Sequence, residues 1–93
     1  MSGTAKATVL IENDKVIVTE WRMAPGTNTG WHRHAHDYVV VPLMDAKVKL
    51  ETKEGTGFAD NKKGIPYFRN VGVEHDVINV EPGEYAFIEI ELK

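Results

Sequence analysis

Residues 30–42, GWHRHAHDYVVVP, place three of the chain's four histidines at alternate positions, His32, His34 and His36, and the same parity reaches Tyr38. In an extended chain alternate residues share a face, so these four side chains would form one row. The chain has no cysteine, which leaves histidine, carboxylate and tyrosine as the ligands open to a transition metal. The fourth histidine, His75, opens a second alternating segment, with Val77 and Asn79 on its own side. Two neighbouring histidines from one strand and one from another offer three neutral nitrogens to a single ion. Coordination positions then stay open for a small molecule, as a catalytic metal requires. A row of exposed polar positions is the bland alternative. It fits poorly, because a HxHxH row entering the VVV run would bury several imidazoles without partners.

The elements that must position these residues read as strands. Segment 47–53, KVKLETK, alternates Val48, Leu50 and Thr52 with charged residues, and 87–93, FIEIELK, sets Ile88, Ile90 and Leu92 against Glu89, Glu91 and Lys93. In both, the aliphatic row reads as the half-buried one. Further strands are expected over 7–12, 16–23, 31–42, 67–70 and 75–80, with turns at 13–15, 24–30, 54–57, 61–64 and 81–84. No segment has a convincing helical period. Many short strands between regular turns predict an all-β sandwich, jelly roll or small barrel.

Ninety-three residues make one domain with little core to spare. Hydrophobic residues at 42% and charged ones at 27% are globular composition. A net charge of −3 argues against nucleic acid, which needs a basic face. No apolar run approaches the roughly 20 residues of a spanning helix, so no membrane partner is expected. The opening MSGTAKATVL lacks a basic region followed by an apolar stretch, which makes the cytoplasm the default location.

Two spacings are more specific. Five residues separate Gly26 from His32, His34 follows, and Tyr38 and Asp45 stand where a glutamate and a closing glycine would complete the first cupin motif. Gly64, Gly72, His75 and Asn79 fall in register with the second motif, with Asn70 in its proline position. The chain therefore resembles a small single-domain cupin over 1–93, with motif one at 26–45, motif two at 64–79 and 18 residues, 46–63, between them. The phrases TEWRMAPG, GWHRHAHDYVVVPL and GVEHDVIN are similar to bacterial cupins labelled β-alanine degradation proteins.

The resemblance implies a double-stranded β-helix, that is, a jelly-roll barrel of the RmlC-like type. It implies one divalent transition metal per chain, Fe(II) first and Mn, Ni, Cu or Zn as alternatives, held by His32, His34 and His75. The motif carboxylate is replaced by Tyr38. An ordinary phenol is neutral at pH 7, so Tyr38 is read as a hydrogen-bond donor or acid beside the metal. A phenolate ligand and a mere space-filler are the other readings. His36 ranks as a supporting or alternative ligand. Arg69 could anchor a carboxylate, with an exposed rim charge as its plain reading. Trp21, Met23, Tyr67, Phe68, Tyr85 and Phe87 read as packing residues.

The function this implies is a metal-dependent, dioxygenase-like cupin enzyme acting on a small organic acid or carbonyl compound, in amino-acid catabolism. A non-catalytic ligand-binding or sensing cupin is the alternative, and metal-free acid–base chemistry by a histidine with Tyr38 a third. A homodimer is expected, since cupins are frequently dimeric and so small a barrel exposes sheet edges. Metal affinity should fall below about pH 6, where imidazole takes up protons.

Overall fold

The computed structural model describes residues 4–93; the first three positions of the opening segment, and of the expected domain span, lie outside the described residues. Nine strands follow in order: β1 (Lys6–Glu12), β2 (Val16–Met23), β3 (His32–Arg33), β4 (Asp37–Pro42), β5 (Ala46–Thr52), β6 (Gly55–Asn61), β7 (Tyr67–Arg69), β8 (Glu74–Asn79) and β9 (Tyr85–Leu92). They form an antiparallel five-stranded sheet, β1-β2-β9-β4-β7, and an antiparallel four-stranded sheet, β3-β8-β5-β6. Among the described residues no helix is long and apolar enough to cross a membrane.

The core lies between the sheets. Met23, Tyr38, Val40, Tyr85 and Phe87 face it from one side, and Ala46, Val48 and Val77 from the other. Asn79, the last residue of motif two, is fully buried in it. Its amide donates to the carbonyls of Met23 and Gly83, both at 2.9 Å, and its side-chain oxygen accepts from the Glu81 N–H at 2.9 Å. One side chain thus ties the end of β8 to β2 and to the turn into β9. A buried asparagine is tolerated here because its polar atoms are satisfied.

Three sequence expectations need correction. Segment 31–42 is not one strand. It breaks at residues 34–36, so that β3 joins one sheet and β4 the other. The strand β6 was hidden by its glycines. GTG at 55–57 reads as a turn, yet the hairpin turns at Lys53 and Glu54, and Gly55, Thr56 and Gly57 pair with Thr52, Glu51 and Leu50.

In β9 the aliphatic row is not the inner one. Tyr85, Phe87 and Glu89 are buried, whereas Ile88 and Ile90 are half-buried and Leu92 is exposed. The inward rows are therefore polar as well as apolar. Thr19, Glu89, Val40 and Tyr67 are successive register partners across β2, β9, β4 and β7, and the next row holds Glu91, Tyr38 and Arg69.

Candidate metal centre and its cavity

His32 and His75 are directly opposite each other in the β3–β8 ladder. His34 lies in the break after β3, yet its backbone is held on both sides. Its N–H donates to Val73 O at 2.9 Å, and its carbonyl accepts from Gly72 N at 2.8 Å. Gly72 has φ +93°, a left-handed conformation that favours glycine. The second motif's glycine therefore helps to place the first motif's second histidine.

The three Nε2 atoms converge. His32 and His34 stand 3.0 Å apart at these atoms, and His34 and His75 3.2 Å. The Nδ1 of His32 lies 2.8 Å from the carbonyl of Gly30, which can only accept, so the proton sits on Nδ1 and the Nε2 lone pair points inward. Gly30 is fixed in turn by Asp76. Its N–H donates to Asp76 Oδ1 at 3.0 Å, and Asn28 donates to both oxygens of that carboxylate at 3.2 and 3.0 Å. Asp76 was missed as a functional residue. Its signal was only adjacency to His75, and its partners come from a loop far away in sequence.

Burial and repulsion from their neighbours keep His34 and His75 uncharged. Desolvation first, then the charges of His32 and His75, lower His34 to about 3. Desolvation, His32 and Arg69 lower His75 to about 4, against a small opposing effect of Asp76. Three convergent lone pairs repel one another, and a cation relieves that repulsion. For metal–nitrogen bonds of ~2.1 Å, ligands at right angles stand about 3.0 Å apart and tetrahedral ones about 3.4 Å. The 3.0 Å separation matches the first and the 3.2 Å one lies midway, so the donor set can hold an ion with three adjacent histidines and positions left open.

Tyr38 lies beneath this group, 1% exposed. Its ring stacks on His34 at 3.8 Å and 18°. Desolvation, reinforced by the charge of Glu89, pushes its phenol well above the usual range, so it stays protonated and can donate. Its hydroxyl finds no hydrogen-bond partner among the described residues. His36 is half-buried in the bend before β4 and is not among the histidines whose ring nitrogens converge.

The carboxylate absent from position 38 has a counterpart on the neighbouring strand. Glu89 is 7% exposed, and its Oε2 lies 4.0 Å from His34 Nε2. Together with Glu91 it forms a second group of possible metal-holding atoms around His34. Desolvation and the adjacent Glu91 carboxylate raise Glu89 to about 8. The indole of Trp21 pulls the other way, but its N–H lies outside hydrogen-bond geometry and acts as a polar neighbour only. Alternation could not reveal Glu89, because a Glu row opposite an Ile row reads as solvent-facing.

A cavity opens beside the histidines, with about 40 Å³ of room for water centres. His32, His75, Tyr38 and Glu89 line it, as do Trp21, Tyr67, Tyr85 and Phe87, so four of the residues read as packing also shape the cavity wall. Met23 is core, and Phe68 is half exposed. Arg69 reaches the cavity from β7 with its guanidinium 4.5 Å from the Tyr67 ring centre. It donates to the Phe68 carbonyl at 3.0 Å and has no ion-pair partner among the described residues. Arg22 instead pairs with Glu84 and Glu20 on the surface.

Two facing antiparallel sheets, with both histidine motifs meeting at one end of the barrel, define a cupin, and the chain belongs to that family. It is 56% identical to β-alanine degradation protein BauB of Pseudomonas aeruginosa over the full length of both chains. A crystal structure of a cupin domain from Bordetella pertussis superposes with a TM-score of 0.99 at 49% identity, covering 100% of this chain and 97% of that one. An RmlC-like cupin with a double-stranded β-helix from Methanocaldococcus jannaschii shares the fold at a TM-score of 0.80 and 12% identity, over 96% and 80% of the two chains. No protein-family model matches the chain.

Proposed function

We propose that this protein is a metal-dependent, dioxygenase-like cupin enzyme that acts on a small organic acid or carbonyl compound. The observation that carries the reading is the convergence of His32, His34 and His75 through Nε2 atoms 3.0 and 3.2 Å apart, beside a cavity. These three residues would hold one divalent ion per chain, and Fe(II) suits three adjacent imidazoles with open positions. Bound there, the ion would supply Lewis-acid and redox chemistry. His36 stays outside this ligand set in our reading.

The rest of the site binds, orients and supplies protons. Arg69, unpaired at the rim, would draw in a carboxylate. Tyr38 would donate a hydrogen bond, or a proton, at its Oη. Glu89 would contribute a neutral carboxylic acid near pH 7. The apolar walls of Phe87, Val40 and Leu50 would keep water out. About 40 Å³ is space for roughly three water-sized groups, which limits the ligand to a short molecule. The name of the similar Pseudomonas protein points to β-alanine degradation, and a three-carbon acid matches that scale. We place the enzyme in amino-acid catabolism in the cytoplasm.

A homodimer completes the proposal. Ile11, Val18, Ile90, Val39 and Phe68 are successive register partners across all five strands of the larger sheet. This outer row is half-buried or exposed throughout and would be covered by a second copy.

The test is elemental analysis of untagged protein purified without added metal, followed by oxygen consumption and product analysis with a panel of three-carbon acids and carbonyl compounds. Near-stoichiometric metal with turnover of one class is expected. Stoichiometric metal and a tightly held ligand with no turnover would make the protein a binding or sensing cupin. Activity that survives complete metal removal would overturn the metal-dependent reading.

A further inference from the structure

Among the described residues, two buried polar atoms have no hydrogen-bond partner there: the indole nitrogen of Trp21 and the hydroxyl of Tyr38. An unsatisfied buried donor costs on the order of 1–3 kcal/mol, so a pair of them requires an explanation. Both residues line the same cavity, and so do His32 and His75. Trp21 is on β2 and Tyr38 on β4, the two strands flanking β9. The inward residues of β9 between them are Phe87 and Glu89.

The chemistry of the pair is one-sided. An indole N–H can only donate, and a phenol without an acceptor in the protein is free to donate as well. Whatever meets them must bring acceptor oxygens. An ammonium group brings no acceptor and would leave both donors unpaired, pairing instead with the Glu89 carboxyl in the same wall.

We propose that Trp21 and Tyr38 form a donor pair that receives the second carboxylate or carbonyl group of a short, doubly oxygenated acid whose first oxygen group faces the three histidines. This rests on the functional reading above and narrows its substrate class. The ligand is an acid with acceptor oxygens at both ends, rather than an amino acid with one carboxylate and one ammonium. Trp21 then determines specificity, a role beyond its packing on Phe87 at 6.4 Å. The small cavity, with room for roughly three water-sized groups, favours a short acid.

Titration calorimetry on protein loaded with Fe(II) in the absence of oxygen tests this with malonate, propionate and β-alanine as probes. Malonate should bind about tenfold or more tighter than the other two, the range expected of a hydrogen bond to a charged group. Trp21→Phe and Tyr38→Phe each remove one donor and keep a ring in place. Each should lose about tenfold for malonate with iron content unchanged, and Trp21→Phe should leave propionate affinity unchanged. Unchanged malonate affinity in both variants, with iron intact, overturns the donor pair and leaves the metal site standing. Equal binding of β-alanine and malonate also overturns it. Iron-loaded protein that binds none of the three acids overturns the substrate class together with this inference.

Discussion

His32 and His75 are register partners in the β3–β8 ladder, and their rings stand 4.7 Å apart, edge to face. Two of the three proposed ligands, from different motifs, are thus placed by one backbone ladder, while the third, His34, is carried by hydrogen bonds to Gly72 and Val73. The histidines contribute little to the apolar core, which is built from Met23, Val40, Val48, Val77, Tyr85 and Phe87.

Replacing His32 or His75 by alanine should therefore abolish metal binding and leave the fold intact. Loss of a ligand exceeds the roughly 10–100-fold effect of changing a ligand's hydrogen-bond partner. Metal content after dialysis and a far-ultraviolet dichroism spectrum measure the two halves. Unchanged metal in both variants contradicts the assignment.

Asp76 acts one step back from the proposed metal ligands, through Gly30 and its carbonyl bond to His32 Nδ1. Asp76→Ala frees the Gly30 N–H and the Asn28 amide and lets the His32 ring turn. Metal affinity should drop about 10–100-fold, with thermal stability lowered modestly. Affinity at the wild-type level would show that the ring is held by packing alone.

The pH dependence of the metal-free protein has two opposing arms. His34 and His75 are lowered in the fold, to about 3 and 4 from 6.5, so the unfolded chain takes up more protons in that window. Their contribution is fully present above pH 6.5 and is lost as the pH falls toward 4. Glu89 is raised to about 8 from 4.5, so its contribution is present below 4.5 and is lost as the pH rises through 8. Thermal melts should show stability declining on both sides, and Glu89→Gln should flatten the alkaline arm alone. Parallel curves for wild type and variant above pH 6 would contradict the protonation state assigned to Glu89. Metal retention should also persist below the pH 6 expected of ordinary imidazoles, because His34 and His75 resist protonation.

Asn79→Ala removes three hydrogen bonds, leaving the buried carbonyl of Met23 and the partly buried groups of Gly83 and Glu81 without these partners. The expected loss is about 2–4 kcal/mol, read from denaturant unfolding of the metal-free protein. A change below 0.5 kcal/mol (about the scale of ordinary surface substitutions) would mean that water replaces the amide.

The apolar row on the outer face of the larger sheet predicts a dimer that charge disrupts. Phe68→Glu, at a half-exposed position, should shift the mass measured by light scattering from two chains to one. A wild-type monomer at micromolar concentration removes the dimer from the proposal.

Much of the fold was legible in the residues because period-two alternation and turn residues act locally. The strands at 16–23, 47–53 and 75–80 lie within one residue of their observed limits. The break at 34–36 was not legible. Every residue there tolerates extended backbone, and the switch between sheets is set by which neighbours are available for pairing. In FIEIELK alternation correctly grouped the side chains and misplaced the interior, because the outer face also carries an apolar row.

What the sequence alone determined is the ligand chemistry: no thiolates, four imidazoles, two motifs at cupin spacing, and a phenol where a carboxylate is usual. Residue type sets which donors exist, and motif spacing sets which strands carry them. Only the tertiary structure decided that His36 is left out, that Asp76 steadies His32 through Gly30, and that Glu89 stands beside His34 from another strand. Those relationships come from register between distant segments. Register follows from how the whole barrel closes, and no local pattern encodes it.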